Sequence, residues 1–344
     1  MSFRLIKQLP SPEEIKSLTP LSPALRRMKE ERDAEIADVF TGKSDKFLVI
    51  IGPCSADNEL AVLDYVSRLA KVQEKVKDRL LLIPRIYTNK PRTTGMGYKG
   101  IMLQPDPQGK PDIEAGILTV RSMHIKAMEE SGLTAADEML YPDNWPYVDD
   151  FLSYVAIGAR SVEDQQHRLA TSGFDIPAGM KNPTSGDLSV MINSVIAAQH
   201  GHEFAFRGAE YKTDGNPLAH TILRGATNKH GNSIPNYHFE DLQLLLQKYD
   251  ETTLVNPACI VDTNHSNSGK KYGQQPRIAR EVMHSRRYDS NIHSLVKGLM
   301  IESYLVPGCQ KIGPNKTYGQ SITDPCLGWE ESERLIMELA DLAD

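Results

Sequence analysis

The sequence predicts an α/β chain folded as a (β/α)8 TIM barrel, and three observations carry that expectation. Eight short apolar runs recur along the chain, at 47–54, 80–87, 135–140, 155–160, 177–181, 221–224, 258–265 and 299–305. Most intervals between them hold apolar residues at helical spacing. Four runs carry a cation at or near their end, Arg85, Arg160, Lys181 and Arg224, followed by turn-forming residues. Eight strand–helix units in roughly 300 residues suit a closed barrel, whose chemistry lies at the C-terminal ends of its strands. An open doubly wound sheet is the alternative, but it would gather its ligand groups at one crevice and not from nearly every strand.

Residues 1–46 precede the first run and read as an N-terminal extension for assembly or regulation; 47–344 read as the catalytic barrel. The extension holds two helix starts. In Ser11-Pro12-Glu13-Glu14 the serine caps and Pro12 suits the first turn, and Ser22-Pro23 leads into a helix ending near residue 40. Behind the first run, Leu60, Leu63, Val66, Leu69 and Ala70 predict a helix over 60–76. Helical patterns return at 113–130, 188–198, 239–249 and 276–284. Between the fifth and sixth runs, Phe204-Ala205-Phe206 and Tyr211-Lys212-Thr213 flank Gly208, and Asp214-Gly215 suits a turn. That pattern predicts a β-hairpin inserted before strand six. Gly95-Met96-Gly97-Tyr98-Lys99-Gly100 fits GxGxxG, yet it follows a loop and opens no helix. It reads as a glycine-rich loop, not a dinucleotide fingerprint.

A chain of 344 residues with 40% hydrophobic residues can bury a large core. Its net charge of −6 argues against nucleic acid or an anionic membrane as partner. No run approaches the roughly 20 apolar residues of a membrane span, and the first residues lack the apolar core of a signal peptide, so a cytoplasmic location is expected. Cys54, Cys259, Cys309 and Cys326 form no CxxC pair and are expected to be reduced thiols.

In an acidic chain the cations at strand ends are local features. Lys90-Pro91-Arg92-Thr93-Thr94 lies just behind the second run and Arg85, so cations and hydroxyls gather where a strand ends. A lone cation is usually a solvated surface charge, but desolvated cations need anionic partners, and this cluster suits phosphate. A second constellation suits a metal. Cys54, His265 and Glu302 stand at or near the ends of runs one, seven and eight, and Asp324 follows in a loop. In a barrel those three strands are neighbours, so a thiolate, an imidazole and two carboxylates can converge on a divalent ion. Taken singly, a buried cysteine is ordinarily an inert small hydrophobe and a lone histidine a satisfied structural residue. Only their joint position favours the metal.

Several motifs in order carry a family resemblance: Ile51-Gly52-Pro53-Cys54-Ser55, Lys90-Pro91-Arg92-Thr93-Thr94, Gly158-Ala159-Arg160-Ser161 with Gln165-Gln166-His167-Arg168, Lys181-Asn182, Leu223-Arg224-Gly225, Asn264-His265-Ser266-Asn267, and Gly319 to Asp324 with Gly328-Trp329-Glu330. From about residue 46 to the end, the chain resembles type I 3-deoxy-D-arabino-heptulosonate 7-phosphate (DAHP) synthases. The resemblance implies a (β/α)8 barrel that condenses phosphoenolpyruvate with D-erythrose 4-phosphate, the first step of the shikimate pathway to aromatic amino acids. It implies one divalent metal ion (Mn, Fe, Co or Zn) on Cys54, His265, Glu302 and Asp324. It places phosphoenolpyruvate on Arg85, Lys90, Glu138, Arg160, Lys181 and Arg224, and erythrose 4-phosphate on Pro91, Arg92, Thr93 and Asp324. Lys90, Cys54 and His265 are the implied catalytic residues. Relatives are dimers or tetramers, so a homo-oligomer is expected.

Two departures bear on this reading. In feedback-regulated relatives the effector pocket is built from the N-terminal extension and the hairpin. Here Asp175 and Phe206 stand where phenylalanine-sensitive relatives carry small hydroxyl residues, so inhibition by phenylalanine is expected to be weak. The sister enzymes that use arabinose 5-phosphate have an Asn-containing sequence in place of Lys-Pro-Arg-Thr-Thr, and residues 90–94 argue against that activity. A catalytically silent barrel that binds a phosphorylated metabolite is the other competitor, and the full set of metal-ligating residues argues against it.

Overall fold

The computed structural model describes residues 2, 4–92 and 95–343. Eight parallel strands form one sheet whose neighbours run in chain order: strand one Phe47–Gly52, two Leu80–Pro84, three Ala135–Glu138, four Leu152–Ile157, five Ala178–Lys181, six Ala219–Leu223, seven Cys259–Asp262 and eight Val296–Glu302. Strand one pairs with both two and eight, register Ile50 with Ile83 and with Met300. The circle closes between strands two and three through one parallel bridge, Arg85 with Ala136, where the Ile86 N–H donates to Ala136 O at 3.0 Å. The barrel expected from the sequence is present.

Strict alternation along each strand sorts its side chains, because successive residues of a strand point to opposite faces. Leu48 and Ile50 of strand one join Leu81, Ile83, Ala156, Ile222, Ile260 and Met300 in the barrel interior. Phe47, Val49 and Ile51 instead meet the surrounding helices. Those helices are α3 (Glu59–Val76), α4 (Ile113–Ser131), α5 (Gln165–Thr171), α6 (Leu188–Gln199), α7 (Phe239–Asp250), the single turn α8 (His265–Ser268), α9 (Gln275–Tyr288), α10 (Ser290–Leu295) and α11 (Trp329–Leu342). All but the fifth strand end before their apolar runs do. Cys54, Arg160 and His265 lie beyond the last paired residues, where the chain leaves the sheet. After strand three the crossover is a 3-10 helix, Pro142–Tyr147. Pro142 and Pro146 supply no backbone donor for an α-helical ladder there.

The N-terminal extension is ordered as α1 (Pro12–Leu18) and α2 (Pro23–Phe40). α1 begins with the capping box of Ser11 and Glu14. It is tied to the barrel wall by Lys16 with Asp149 at 2.5 Å and by Tyr147 Oη donating to Pro10 O at 2.8 Å. α2 lies across the N-terminal mouth of the barrel: Ile36, Val39 and Phe40 pack among the interior side chains. The Phe40 ring lies 4.3 Å from that of His220, and His220 Nε2 is 2.7 Å from Tyr154 Oη. The hairpin precedes strand six as expected, with arms Glu203–Phe206 and Ala209–Lys212. Its turn is Arg207-Gly208, both at positive φ (50° and 78°), the conformation whose twist suits a two-residue hairpin. Residues 95–100 form an irregular loop that opens no helix, as the GxGxxG reading expected. Among the described residues no helix is long and apolar enough to cross a membrane.

Candidate active site

The C-terminal ends of the strands surround a cavity of about 410 Å3. Its walls draw on nearly every strand end. Cys54, Arg85, Lys90, Pro91 and Arg92 come from the first two strand ends, Glu138 and Arg160 from the third and fourth, Lys181, Arg224 and His265 from the fifth to seventh, and Asp324 from the loop after strand eight. Glu302 lies just below, 1% exposed. Of the candidate site residues named from the sequence, only Thr93 falls outside the described residues, with Thr94 of the same motif.

The floor is an ionic network. Arg85, 1% exposed, donates from Nη2 to Glu302 Oε1 at 2.8 Å and from Nε to Pro53 O at 3.2 Å, with its guanidinium 3.6 Å from the centre of the Tyr87 ring. Its Nη1 is buried without a hydrogen-bond partner. Lys181 Nζ reaches Asp262 Oδ2 at 3.3 Å, and His265 Nδ1 lies 2.7 Å from the same oxygen. Burial alone would raise the Asp262 carboxyl, but His265 and Lys181 hold it far below the usual carboxylate range. Asp262 therefore stays charged and fixes both neighbours.

Arg160 and Arg224 are different. Among the described residues neither has a carboxylate within ion-pair distance; Arg160 is exposed, and Arg224 is 8% exposed with its guanidinium donating only to its neighbour's carbonyl, Gly225 O, at 3.4 Å. Burial lowers the Arg224 pKa, Asp262 works against it, and Arg160 adds to the lowering. A buried guanidinium beside a second cation, with no ion pair among the described residues, suits an anion from outside.

Cys54, Glu302 and Asp324 bring one ligand atom each within 4.8 Å of one another. His265 stands beside this trio and not within it: its Nε2 is 3.9 Å from Glu302 Oε1. The donor set fits a divalent ion, since a thiol and two carboxylates at such spacing repel when ionised unless a cation lies between them. Burial, then Glu302, push the Cys54 thiol up, while Lys90 works against them. Lys90 Nζ contacts both Cys54 O and, at 3.3 Å, Cys54 Sγ. Asp324 is paired with Lys270 at 2.9 Å; burial opposes its ionisation, but Lys270, His265 and Lys90 hold its carboxyl below the usual range. The loop bearing Asp324 is pinned by Ser321 Oγ donating to Asp324 O at 2.8 Å and by Ser55 and Thr323 hydroxyls 2.9 Å apart.

Close approach is built in on the far wall. A Cβ at Gly158 would sit 2.2 Å from Glu138 Oε1, so only glycine lets the Glu138 carboxylate lie against strand four. Sequence reasoning did not single out Asp262, Tyr87, Lys270 or Asp137. Asp262 lay inside the seventh apolar run, 258–265, and a charged residue there was a signal. Tyr87, with Arg85, Lys90 and Lys181 within 6 Å of its ring centre, had none, because it reads as core.

This fold and this site define a (β/α)8 enzyme whose cationic mouth adjoins a thiol–carboxylate cluster suited to a metal. The family model for the DAHP synthetase I family matches residues 23–337, and the chain belongs to that family. It is 36% identical over 329 residues to the phospho-2-dehydro-3-deoxyheptonate aldolase of Haemophilus influenzae, covering 94% of this chain and 88% of that one. It is 36% identical to the Tyr-sensitive enzyme of that name from Escherichia coli K12, covering 96% of this chain and 92% of the relative. The solved structure of the Francisella tularensis enzyme superposes with a TM-score of 0.91 at 31% identity, covering 99% of this chain and 98% of that one.

Proposed function

We propose that this chain condenses phosphoenolpyruvate with D-erythrose 4-phosphate to give DAHP and inorganic phosphate, entering aromatic amino acid biosynthesis. The observation that carries the assignment of roles is a pair of cations in the cavity wall, exposed Arg160 and buried Arg224, that make no ion pair among the described residues, in the same cavity as the Lys90–Cys54 contact. Arg160, Lys181 and Arg224 hold the phosphate and carboxylate of phosphoenolpyruvate, and the unpartnered Nη1 of Arg85 supplies a further donor. Arg92 with Pro91, Thr93 and Asp324 receives the sugar phosphate. Fixing two anions side by side offsets their repulsion and aligns C3 of the enol ether with the aldehyde carbon, a positioning effect that can be worth about 7–11 kcal/mol.

When bound at Cys54, Glu302, Asp324 and the adjoining His265, a divalent ion (Mn, Fe, Co or Zn) supplies Lewis-acid polarisation of the aldehyde. Lys90, held at Cys54, delivers the proton that the aldehyde oxygen takes up as the new C–C bond forms. Glu138, against Gly158, faces the enolpyruvate carbon and its incoming water. Addition of that water at C2 and departure of phosphate complete the turnover. A phosphate-release assay with each substrate alone and with both tests the reading: release must require the two together.

The assembly is proposed to be a homo-dimer or homo-tetramer, with α1, α2 and the hairpin at an interface or effector site. Phe206 is half-buried on the hairpin, its ring 6.2 Å from Phe204 and 5.9 Å from Tyr211, and Asp175 is exposed. Bulk at one position and negative charge at the other support weak inhibition by phenylalanine.

A further inference from the structure

The seam between strands two and three is held by a single backbone bridge, Arg85 with Ala136. Beyond Ile86, the next rung of the seam is made by a side chain. Asp137, 4% exposed, accepts the Thr88 N–H at 2.9 Å on Oδ1 and the Thr88 hydroxyl on Oδ2. The same Oδ1 takes the N–H of Glu138 at 2.7 Å. Thr88 is fully buried, and its carbonyl receives the Met102 N–H at 3.2 Å, so it fastens both ends of the 88–102 loop. That loop carries Lys90 and Arg92. One carboxylate thus joins the loop that bears the proton-delivering lysine to the strand end that bears Glu138.

We propose that Asp137 is a positioning residue for the condensation, setting the 88–92 segment, and with it Lys90 and Arg92, against the reacting centre. The proposal rests on the roles given above to Lys90 and Arg92. Among the described residues, Asp137 accepts hydrogen bonds from Thr88 and Glu138 and pairs with no cation. A carboxylate placed only for stability would be served by an ion pair; this one is served by the backbone amides of the segments it aligns. Without it, the Thr88 N–H is a buried donor with no acceptor, and the loop must shift to find one. Phosphoenolpyruvate keeps its grip on Arg160, Lys181 and Arg224 from other strands, so that shift bears on its binding less than on that of erythrose 4-phosphate.

The test is steady-state kinetics on full-length Asp137→Ala, Asp137→Asn and Thr88→Val, with circular dichroism and thermal melting to establish the folded fraction. Asp137→Ala is expected to lower kcat by about tenfold or more and raise KM for erythrose 4-phosphate by about fivefold, the scale of one buried donor left unmet, while KM for phosphoenolpyruvate changes by less than about twofold. Asp137→Asn keeps an acceptor for the Thr88 N–H and is expected to retain most activity. Loss of folded enzyme alone would lower kcat with both KM values unchanged. Should Asp137→Ala fail to fold, Thr88→Val, which removes one of the two Thr88 bonds, must show the same split more weakly. Wild-type values in folded Asp137→Ala, equal rises in both KM values, or Asp137→Asn as damaging as Asp137→Ala would overturn the proposal. Lys90→Ala is the control for the underlying reading: if it keeps full activity, the role of Lys90 fails, and that outcome is separate from any result at Asp137.

Discussion

Arg85 and Glu302 form an ion pair of 2.8 Å between strands two and eight, across strand one, with each side chain 1% exposed. Asn264 Nδ2 takes the other Glu302 oxygen at 2.5 Å, and the Gln275 side chain meets the Glu302 backbone on both its N–H and its carbonyl. The pair therefore serves the barrel floor as well as the site above it. Removing one partner from a buried pair strands the other, at a typical cost of about 3–5 kcal/mol. Arg85→Met is expected to lower stability by that order in urea unfolding, and an unchanged midpoint would refute the structural half of its role.

Arg160 and Arg224 carry the opposite expectation. With no carboxylate partner among the described residues, Arg224→Ala breaks no ion pair there and is expected to leave the melting temperature within a few degrees of wild type. Its KM for phosphoenolpyruvate should rise by about tenfold or more, the worth of one charge-assisted contact, with KM for erythrose 4-phosphate little changed. Arg92→Ala should show the reverse bias. Equal effects on both constants would contradict the division of the cavity.

Removal of metal is the third measurement. Exhaustive chelation is expected to abolish activity, and Mn, Co or a similar ion to restore it. Cys54→Ala should bind about one equivalent less metal by elemental analysis and should not recover at modest metal concentration. His265, which stands beside the trio, should be more forgiving when replaced by alanine. Full activity of Cys54→Ala after chelation would eliminate the site.

Asp137 also makes a pH signature in stability. Burial pushes its carboxyl up to about 7, although the bonds from Thr88 and Glu138 work the other way. In the unfolded chain it titrates near 3.9, so between about pH 4 and pH 7 the folded protein holds a proton that the unfolded chain has lost. This group therefore contributes most below pH 4, and its contribution falls as pH rises to 7 and is flat beyond. The slope is up to about 1.4 kcal/mol per pH unit and should vanish in Asp137→Asn. Urea titrations of both proteins at pH 5, 6, 7 and 8 check it; parallel curves would remove Asp137 as the source.

Most of the barrel was legible because apolar runs and helical spacing are local. Phe47–Gly52 and α3 fall almost where their apolar spacing put them. Strand four was displaced: its first residues, Leu152-Ser153-Tyr154, look mixed in sequence, and only the barrel interior, where Tyr154 meets His220, accounts for them. The cations and the metal-suited residues were legible through position, since a charge that closes an apolar strand is rarely accidental. Asp137 was not, because its partners are an amide and a hydroxyl 49 residues away in the chain, and no local pattern announces them.

The way α2 meets the barrel bears on the order in which the chain assembles. Phe40 leaves the ribosome long before His220 and Tyr154 exist, yet its own packing depends on them. Until strands four and six are in place, the seat of Phe40 is incomplete, and contacts of such sequence separation form slowly. α2 can meet strands one and two early, but a nascent chain halted before strand six is expected to hold Phe40 without its His220 contact, so the seating of α2 is completed late.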